Sequence, residues 1–326
     1  MAVPLTPRPL GSRGPAISPL CVGTSGWGGA RDGETDADRV ARTTALAERV
    51  LTSDGAGDAV GYRGVNALDT SNIYGDGESE RSLGGVIERL GGLPDGRVLM
   101  TKLDRDASTG TFTGERMWRS LEESLERLHL SSVQVLFLHD PEHIGFEAAM
   151  EPRGPVDALI EMKDQGLAQS IGISGGPVHM LQRFVDTGIF DHLISHNRFT
   201  LLDRSATSLY ESARGRGMGV VNAAPYGGGA LSGRAGADAR YGYRPAPSEV
   251  RSAVAAMTDA CTAHGVTLSA AALQFSMRSP LVHTTIVGAS SIDRLDASIA
   301  DAHVDIPDAL WDELDALAPA GFALDR

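Results

Sequence analysis

The chain has 326 residues, 42% of them hydrophobic and 22% charged, which fits a globular protein with a large core. With 29 basic against 42 acidic residues the formal net charge is −13, which argues against a nucleic-acid or anionic-membrane surface. Only Cys21 and Cys261 occur, no apolar run reaches membrane-spanning length, and residues 1–14 lack the hydrophobic core of a signal peptide, so no disulfide framework and a cytoplasmic location are expected.

Apolar strand-like runs alternate with helical patterns along the chain. Pro19 to Gly23 leads to Thr24-Ser-Gly-Trp27, and a helix is expected from about Ala37 to Leu51. Asn66 to Ser71 reads as a strand that breaks at Asp69. The loop carrying Tyr74, Gly75 and Gly77 follows, then a helix with Leu83, Val86, Ile87 and Leu90 on one face. Arg97 to Lys102 precedes a helix lined by Trp118, Leu121, Leu125 and Leu128, and Val133 to Leu138 runs into His139-Asp-Pro141. A helix from about Pro155 to Gln165, a strand at Ser170 to Ser174 and a helix to about Asp186 come next. His192 to His196, a helix from Arg204 to Arg214, and Met218 to Asn222 continue the rhythm. An irregular stretch, Pro225 to Pro247, separates them from helices at Glu249 to His264 and Ser269 to Met277. His283 to Val287 and Ile292 to Ala300 make the eighth pair, and Trp311, Leu314 and Leu317 mark a closing helix.

Eight β–α pairs in one chain predict a (β/α)8 TIM barrel, an α/β fold formed here as a single domain over residues 1–326. A doubly wound sheet would want a glycine fingerprint after the first strand, and Gly23-Thr-Ser-Gly26-Trp-Gly28 does not have that spacing. Arg13 and the residues before it are expected to cap the amino-terminal mouth.

On this reading Asp69, Lys102 and His139 end three consecutive strands, with Tyr74 in the loop after the first. That is the face where barrel chemistry sits. Taken singly each has an ordinary role: a turn, a solvated strand end, a loop-bonded histidine, a packed phenol. Together they suit proton exchange with an oxygen that gains or loses a hydride. A phenol with a pKa of about 10 needs its phenolate stabilised, a buried lysine supplies the charge, and a carboxylate keeps that lysine charged. A histidine then holds the substrate oxygen. His139 and His143 have the spacing of a metal pair, but Pro141 lies between them, and no metal is expected. Gly227-Gly-Gly229 reads both as a flexible loop and as a phosphate cover.

These residues resemble the aldo-keto reductase superfamily over almost the full length. The likeness rests on Leu68-Asp-Thr-Ser-Asn-Ile-Tyr-Gly75 with Ser79 to Gly84, Thr101-Lys102, Arg119 to Leu128, and Leu138-His139-Asp140. It continues through Ile171 to Ser174, Leu201 to Arg204, Ala224-Pro225 with Gly229 to Gly233, and Ile286 to Ala289. The resemblance implies a tetrad of Tyr74, Lys102, Asp69 and His139 and an extended nicotinamide cofactor; Arg294 one turn into the last helix, with no lysine in Gly288 to Ser291, predicts a modest preference for NADP with NAD also usable. The resemblance also implies Thr24 and Trp27 at the nicotinamide end, Ser174 on the carboxamide, and Ala224 and Pro225 through Leu231 and Ser232 over the pyrophosphate. Ser290, Ser291 and Arg294 would hold the adenosine ribose or its 2′-phosphate. Three positions depart from the family pattern: Gly175 stands for asparagine, His196 for glutamine with Asn197 as its substitute, and Ala223 for a stacking aromatic.

Within the superfamily, Asn197 to Leu202, His139 to Pro141 and Asn222 to Gly227 are most similar to the aldose 1-dehydrogenase branch, which includes L-fucose and D-threo-aldose dehydrogenases. The expected partner is a small carbonyl or sugar substrate. Two alternatives stand beside this: a broad NADPH-dependent aldehyde and ketone reductase, and a non-catalytic nicotinamide-sensing subunit. The polar and aromatic set Arg234, Asp238, Arg240, Tyr241, Tyr243 and Arg244 is read either as a sugar-binding loop or as a solvated one.

Overall fold

Strands of a parallel sheet are covered on both faces, and in this chain they are apolar almost throughout. The computed structural model describes residues 5–52, 65–233 and 240–325. A hairpin of β1 (Arg8–Pro9) and β2 (Ala16–Ile17) comes first. Then β3 (Leu20–Gly23), α1 (Asp36–Thr52), β4 (Ala67–Asp69), α2 (Glu78–Arg89), β5 (Val98–Leu103) and α3 (Gly114–Leu128) alternate. β6 (Val133–His139) is followed by a short α4 (Phe146–Ala149) and by α5 (Pro155–Asp164). β7 (Ala168–Gly175), α6 (Val178–Thr187), β8 (His192–His196), α7 (Thr207–Gly215) and β9 (Gly219–Ala223) complete the regular run. A second hairpin, β10 (Arg240–Tyr241) with β11 (Arg244–Pro245), lies in the stretch expected to be irregular. After α8 (Ser248–Ala263) and α9 (Leu268–Met277), β12 (Thr284–Gly288) returns to the sheet, and α10 (Ile292–His303) and α11 (Asp308–Leu317) end the chain.

The eight long-range strands close in the order β12-β3-β4-β5-β6-β7-β8-β9, every neighbour parallel. This is the (β/α)8 barrel; the doubly wound sheet is excluded by closure. Successive strand side chains point to opposite faces. Cys21, Ala67, Val98, Met100, Val135, Phe137, Ile194, Val221 and Ile286 fill the interior. Their neighbours Leu68 and Leu99 pack outward with α1 and α2, and Leu136 and Leu138 pack under α3, α5 and α6.

The expected cap forms over residues 5–13; residues 1–4 lie outside the described residues. Leu10 and Ile17 of the first hairpin are fully buried among the interior residues. Arg8 Nη2 donates to Val282 O at 2.8 Å, and the Ser12 hydroxyl donates to Gly217 O at 3.0 Å. Cys21 and Cys261 are both free and buried. Among the described residues no helix is long and apolar enough to cross a membrane.

Candidate active site

The alternation that fills the interior also builds the site at its carboxyl end. In β4, Ala67 points inward, so Asp69 does too. In β5, Val98, Met100 and Lys102 share that face, and in β6 Val135, Phe137 and His139 share it. Above them opens a cavity of about 580 Å³, lined by Asp69, Tyr74, Lys102, Asp104, His139 and Ser174 among others.

Lys102 and Asp69 are 2% and 3% exposed, and their charged ends meet at 2.8 Å. Lys102 Nζ also donates to Thr70 O at 2.7 Å and to Tyr74 Oη at 3.2 Å, so three acceptors take the three protons of an ammonium. Burial works against this cation, but Asp69 and Tyr74 hold its pKa above the ordinary lysine value. Burial pushes the Asp69 carboxyl up against the pull of Lys102; the fully used ammonium makes the charged pair the state we assign. Tyr74 is raised, first by burial and then by Asp69, with Lys102 pulling the other way. The expected phenolate stabilisation by Lys102 therefore does not win in the site as it stands, and Tyr74 is a phenol at neutral pH.

The loop that carries Tyr74 is tied down from below. Asn72 donates to Ser120 O at 3.1 Å and accepts from Arg116 Nη2 at 3.0 Å, and Arg127 Nη1 donates to Asn72 O at 2.9 Å. All three partners sit on α3, a helix capped by the Thr113 side chain and ended by His129 in the left-handed region.

Two acidic groups absent from the sequence expectations join the site. Asp104, 3% exposed, lies 2.7 Å from His139 Nδ1. Glu142 fills the space beside Gly175: its Oε1 accepts from Gly176 N at 2.9 Å, and a Cβ on Gly175 would stand 2.7 Å from its Oε2. Asp104 had a signal, since it is two residues beyond Lys102 and so on the same face. Glu142 had none, because a turn sets its position. That turn is a 3-10 turn, Pro141–His143, so His139 and His143 share no helix face. Asp140, Glu142 and His196 bring polar atoms within 4.8 Å of one another on one wall, and Asp140 Oδ1 and Glu142 Oε2 are buried without a hydrogen-bond partner. His196 is pushed down to about 4 by burial, so it is neutral at pH 7.

The residues expected around a nicotinamide fall into two groups. Ser174 and Ala224 line the cavity, as do Ser25, His196, Ala223 and Tyr243. Thr24 and Trp27 stand behind the wall: Thr24 donates to Asp69 O at 3.0 Å and accepts from Ser79 Oγ at 2.6 Å, and Trp27 Nε1 donates to Ala289 O at 2.7 Å. Asn197 is fully buried, with Nδ2 3.0 Å from His196 Nδ1 and Oδ1 unpartnered. Pro225 and Leu231 are buried, and Ser232 Oγ donates to Gly229 O at 2.7 Å. Of the expected sugar loop, Tyr243 reaches the cavity, Tyr241 is buried on Asn197 O at 2.8 Å, and Arg240 and Arg244 are exposed. Arg234 and Asp238 lie outside the described residues.

At the far end, Ser291 caps α10 and Arg294 is exposed in its first turn. Arg42 Nη1 donates to Ser290 O at 3.0 Å, and the Arg31 guanidinium donates to the same carbonyl. Arg42 is committed to Glu34, with Nε on Oε1 at 2.6 Å and Nη2 on Oε2 at 2.9 Å, so the helix amino terminus with Arg294 and Arg31 is what suits a phosphorylated, anionic ligand. The glycine-lined edge at Gly23 and Gly288 leaves room for its approach. The donor set thus fits an extended dinucleotide.

The Aldo/keto reductase family profile matches residues 19–319. L-galactose dehydrogenase of Arabidopsis thaliana is 30% identical over 240 residues, 73% of this chain and 73% of that protein. D-threo-aldose 1-dehydrogenase of a Pseudomonas species is 30% identical over 293 residues, 82% of this chain and 88% of that one. Pyridoxal 4-dehydrogenase of Microbacterium luteolum is 25% identical, covering 94% and 96%. In fold, the chain is similar to an aldo-keto reductase from Bacillus halodurans solved in its holo form, with a TM-score of 0.74 at 20% identity over 99% of this chain and 100% of that one.

Proposed function

This chain belongs to the aldo/keto reductase family, and from that premise we propose that it oxidises a small aldose, of the L-fucose or D-threo-aldose type, at C1 to the lactone with NADP preferred over NAD. Oxidoreductase chemistry comes with membership. The substrate class rests on the wall beside His139. Asp140 Oδ1 and Glu142 Oε2 are buried carboxylate oxygens without donors, and such oxygens favour a ligand rich in hydroxyls over an apolar one. Relatives named for aldoses at 30% identity support the same reading.

Oxidation takes a hydride from C1 and a proton from its hydroxyl. The nicotinamide, when bound, supplies the hydride acceptor. Tyr74 Oη takes the hydroxyl proton once it is ionised, and Lys102 places the positive charge that eases that ionisation. His139 holds the reacting oxygen from the other side. Ser174 and His196 line the wall next to it, and the Arg294 and Arg31 guanidinium groups favour the 2′-phosphate of NADP. Because Tyr74 is raised, oxidation climbs with pH well into the alkaline range.

The test compares kcat/KM for L-fucose, D-arabinose and L-galactose, each with NADP and with NAD, against reduction of a hydrophobic aldehyde with NADPH. We expect the sugars to turn over, faster with NADP. Sugars inert at millimolar concentration beside a readily reduced apolar aldehyde would make the protein a carbonyl reductase.

A further inference from the structure

His139 has one ring nitrogen committed and one left for a substrate. Nδ1 lies 2.7 Å from Asp104 Oδ1 and 3.1 Å from Ser71 Oγ. The carboxylate nearest Nε2 is Asp140, whose Oδ1 at 3.6 Å is too far to accept a hydrogen bond. Asp104 is a built feature. It is 3% exposed, and its Oδ2 accepts from the Ser71 hydroxyl and, at 3.1 Å, from Ile73 N. Two donors on Oδ2 and the ring on Oδ1 hold the carboxylate in one orientation. Nothing in the roles read for Asp69, Tyr74 and Lys102 uses this group.

We propose that Asp104 is a positioning residue for His139: its carboxylate accepts a hydrogen bond from Nδ1–H and fixes the ring so that Nε2–H faces the cavity and donates to the substrate oxygen. This rests on the reading of His139 as the holder of that oxygen. With Nδ1–H bound to Asp104, a neutral ring would turn a bare lone pair toward a carbonyl oxygen, which repels it. Only the imidazolium offers a donor, so the carboxylate that orients the ring must also keep its second proton on.

The charges around the ring favour that state. Burial opposes the imidazolium, but Asp104 and then Asp140 hold its pKa above the ordinary histidine value. Asp104 itself is lowered: burial opposes, and His139, Ser71 and Ile73 outweigh it. The other groups facing the ring are Lys102 from β5, which opposes protonation, Asp69 and Tyr74 from β4 and its loop, Glu142 and His143 from the turn after β6, and His196 from β8. A raised folded pKa means that the donor is present below it and is lost as pH rises through it. Carbonyl reduction should therefore fail on the alkaline side.

Asp104→Asn keeps an acceptor for Nδ1–H but removes the charge. Reduction of a reactive aldehyde with NADPH should drop about a hundredfold at pH 8, the loss typical of removing one donor to a developing oxyanion. The drop should be smaller at pH 5.5, with the alkaline limb moved to lower pH and NADPH affinity unchanged. Asp104→Glu should recover part of the activity. Separately, ring-nitrogen NMR of the cofactor-free protein, assigned against His139→Asn, should find His139 as imidazolium at pH 7. An equal loss at every pH with an unmoved profile would assign Asp104 a purely structural role and overturn the proposal, as would a neutral His139 in the wild type. That titration needs no variant to fold and no substrate. Inert sugars would sink the aldose reading and leave this proposal standing, whereas an ordinary His139 titration would do the reverse.

Discussion

At the scale of single residues, the Tyr74 hydroxyl receives a hydrogen bond from Lys102 Nζ at 3.2 Å while the ring stands edge-on to His139 at 5.8 Å. Tyr74→Phe leaves that packing and removes the proton carrier. It should cost about two powers of ten in kcat, in either direction, with cofactor affinity unchanged by fluorescence titration. Turnover near the wild-type level would show that some other group moves the proton. Asp69, Lys102 and His139 were legible in the sequence because each ends an apolar run, and a strand that stops on a charge advertises it. Asp104 was hidden by its position one step past the end of β5. The outward Leu103 between Lys102 and Asp104 was the available clue, since a period of two puts the flanking charges side by side. The protonation of Tyr74 was not legible at all, because whether Lys102 or burial wins depends on how deeply the phenol sits.

Between elements, the site depends on two loops that touch through glycine. A Cβ on Gly75 would stand 2.1 Å from Gly28 Cα, and one on Gly28 would stand 2.0 Å from Gly75 Cα. Gly75 also has φ +59°, where a side chain is strained. The β3–α1 loop and the Tyr74 loop can approach this closely only while both positions lack side chains. Gly75→Ala should destabilise the fold by about 2 kcal/mol or more in urea unfolding and displace Tyr74, lowering kcat. Gly85→Ala on α2, where nothing lies within 4 Å of the added Cβ, is the control and should be neutral or mildly stabilising. Equal responses in the two variants would refute the close-approach account. The helices and strands of the barrel were readable from apolar periodicity, and their ends shifted by a few residues at most, whereas the two short hairpins and α4 are too brief to show a period. Contacts such as Gly28 with Gly75, or Arg31 and Arg42 gathered on Ser290, join segments far apart in sequence. No local pattern encodes them.

For the molecule as a whole, the barrel carries its chemistry at the carboxyl end and two buried, acid-sensitive histidines at the amino end. There His192 is fully buried beneath the first hairpin. Its Nε2 lies 2.8 Å from Ser170 Oγ, whose own proton goes to Gln134 O at 3.0 Å, so the imidazole donates from Nε2. Its Nδ1 is buried without a partner, and burial lowers the ring from 6.5 to about 4. His283, at the start of β12, is likewise lowered to about 4, by burial and then by Arg214 and Arg8. A depressed histidine means that between these values the unfolded chain binds a proton the folded chain refuses. Stability is then lost as pH falls from about 6.5 toward 4, by about 2 kcal/mol per ring between pH 7 and pH 5. His196 and His143 at the carboxyl end are lowered too and add to the loss over the same range, His139, Asp69 and Glu80 are raised and offset part of it, and Asp104 and Asp191 are lowered and add their loss only at more acid pH. His192→Gln isolates one contribution. Whatever it costs at pH 7, the fall in unfolding free energy from pH 7 to pH 5 should shrink by about 2 kcal/mol relative to wild type. An unchanged fall would mean that His192 takes its proton without unfolding, and the acid sensitivity would then have to come from the carboxylates or from the active-site end of the barrel.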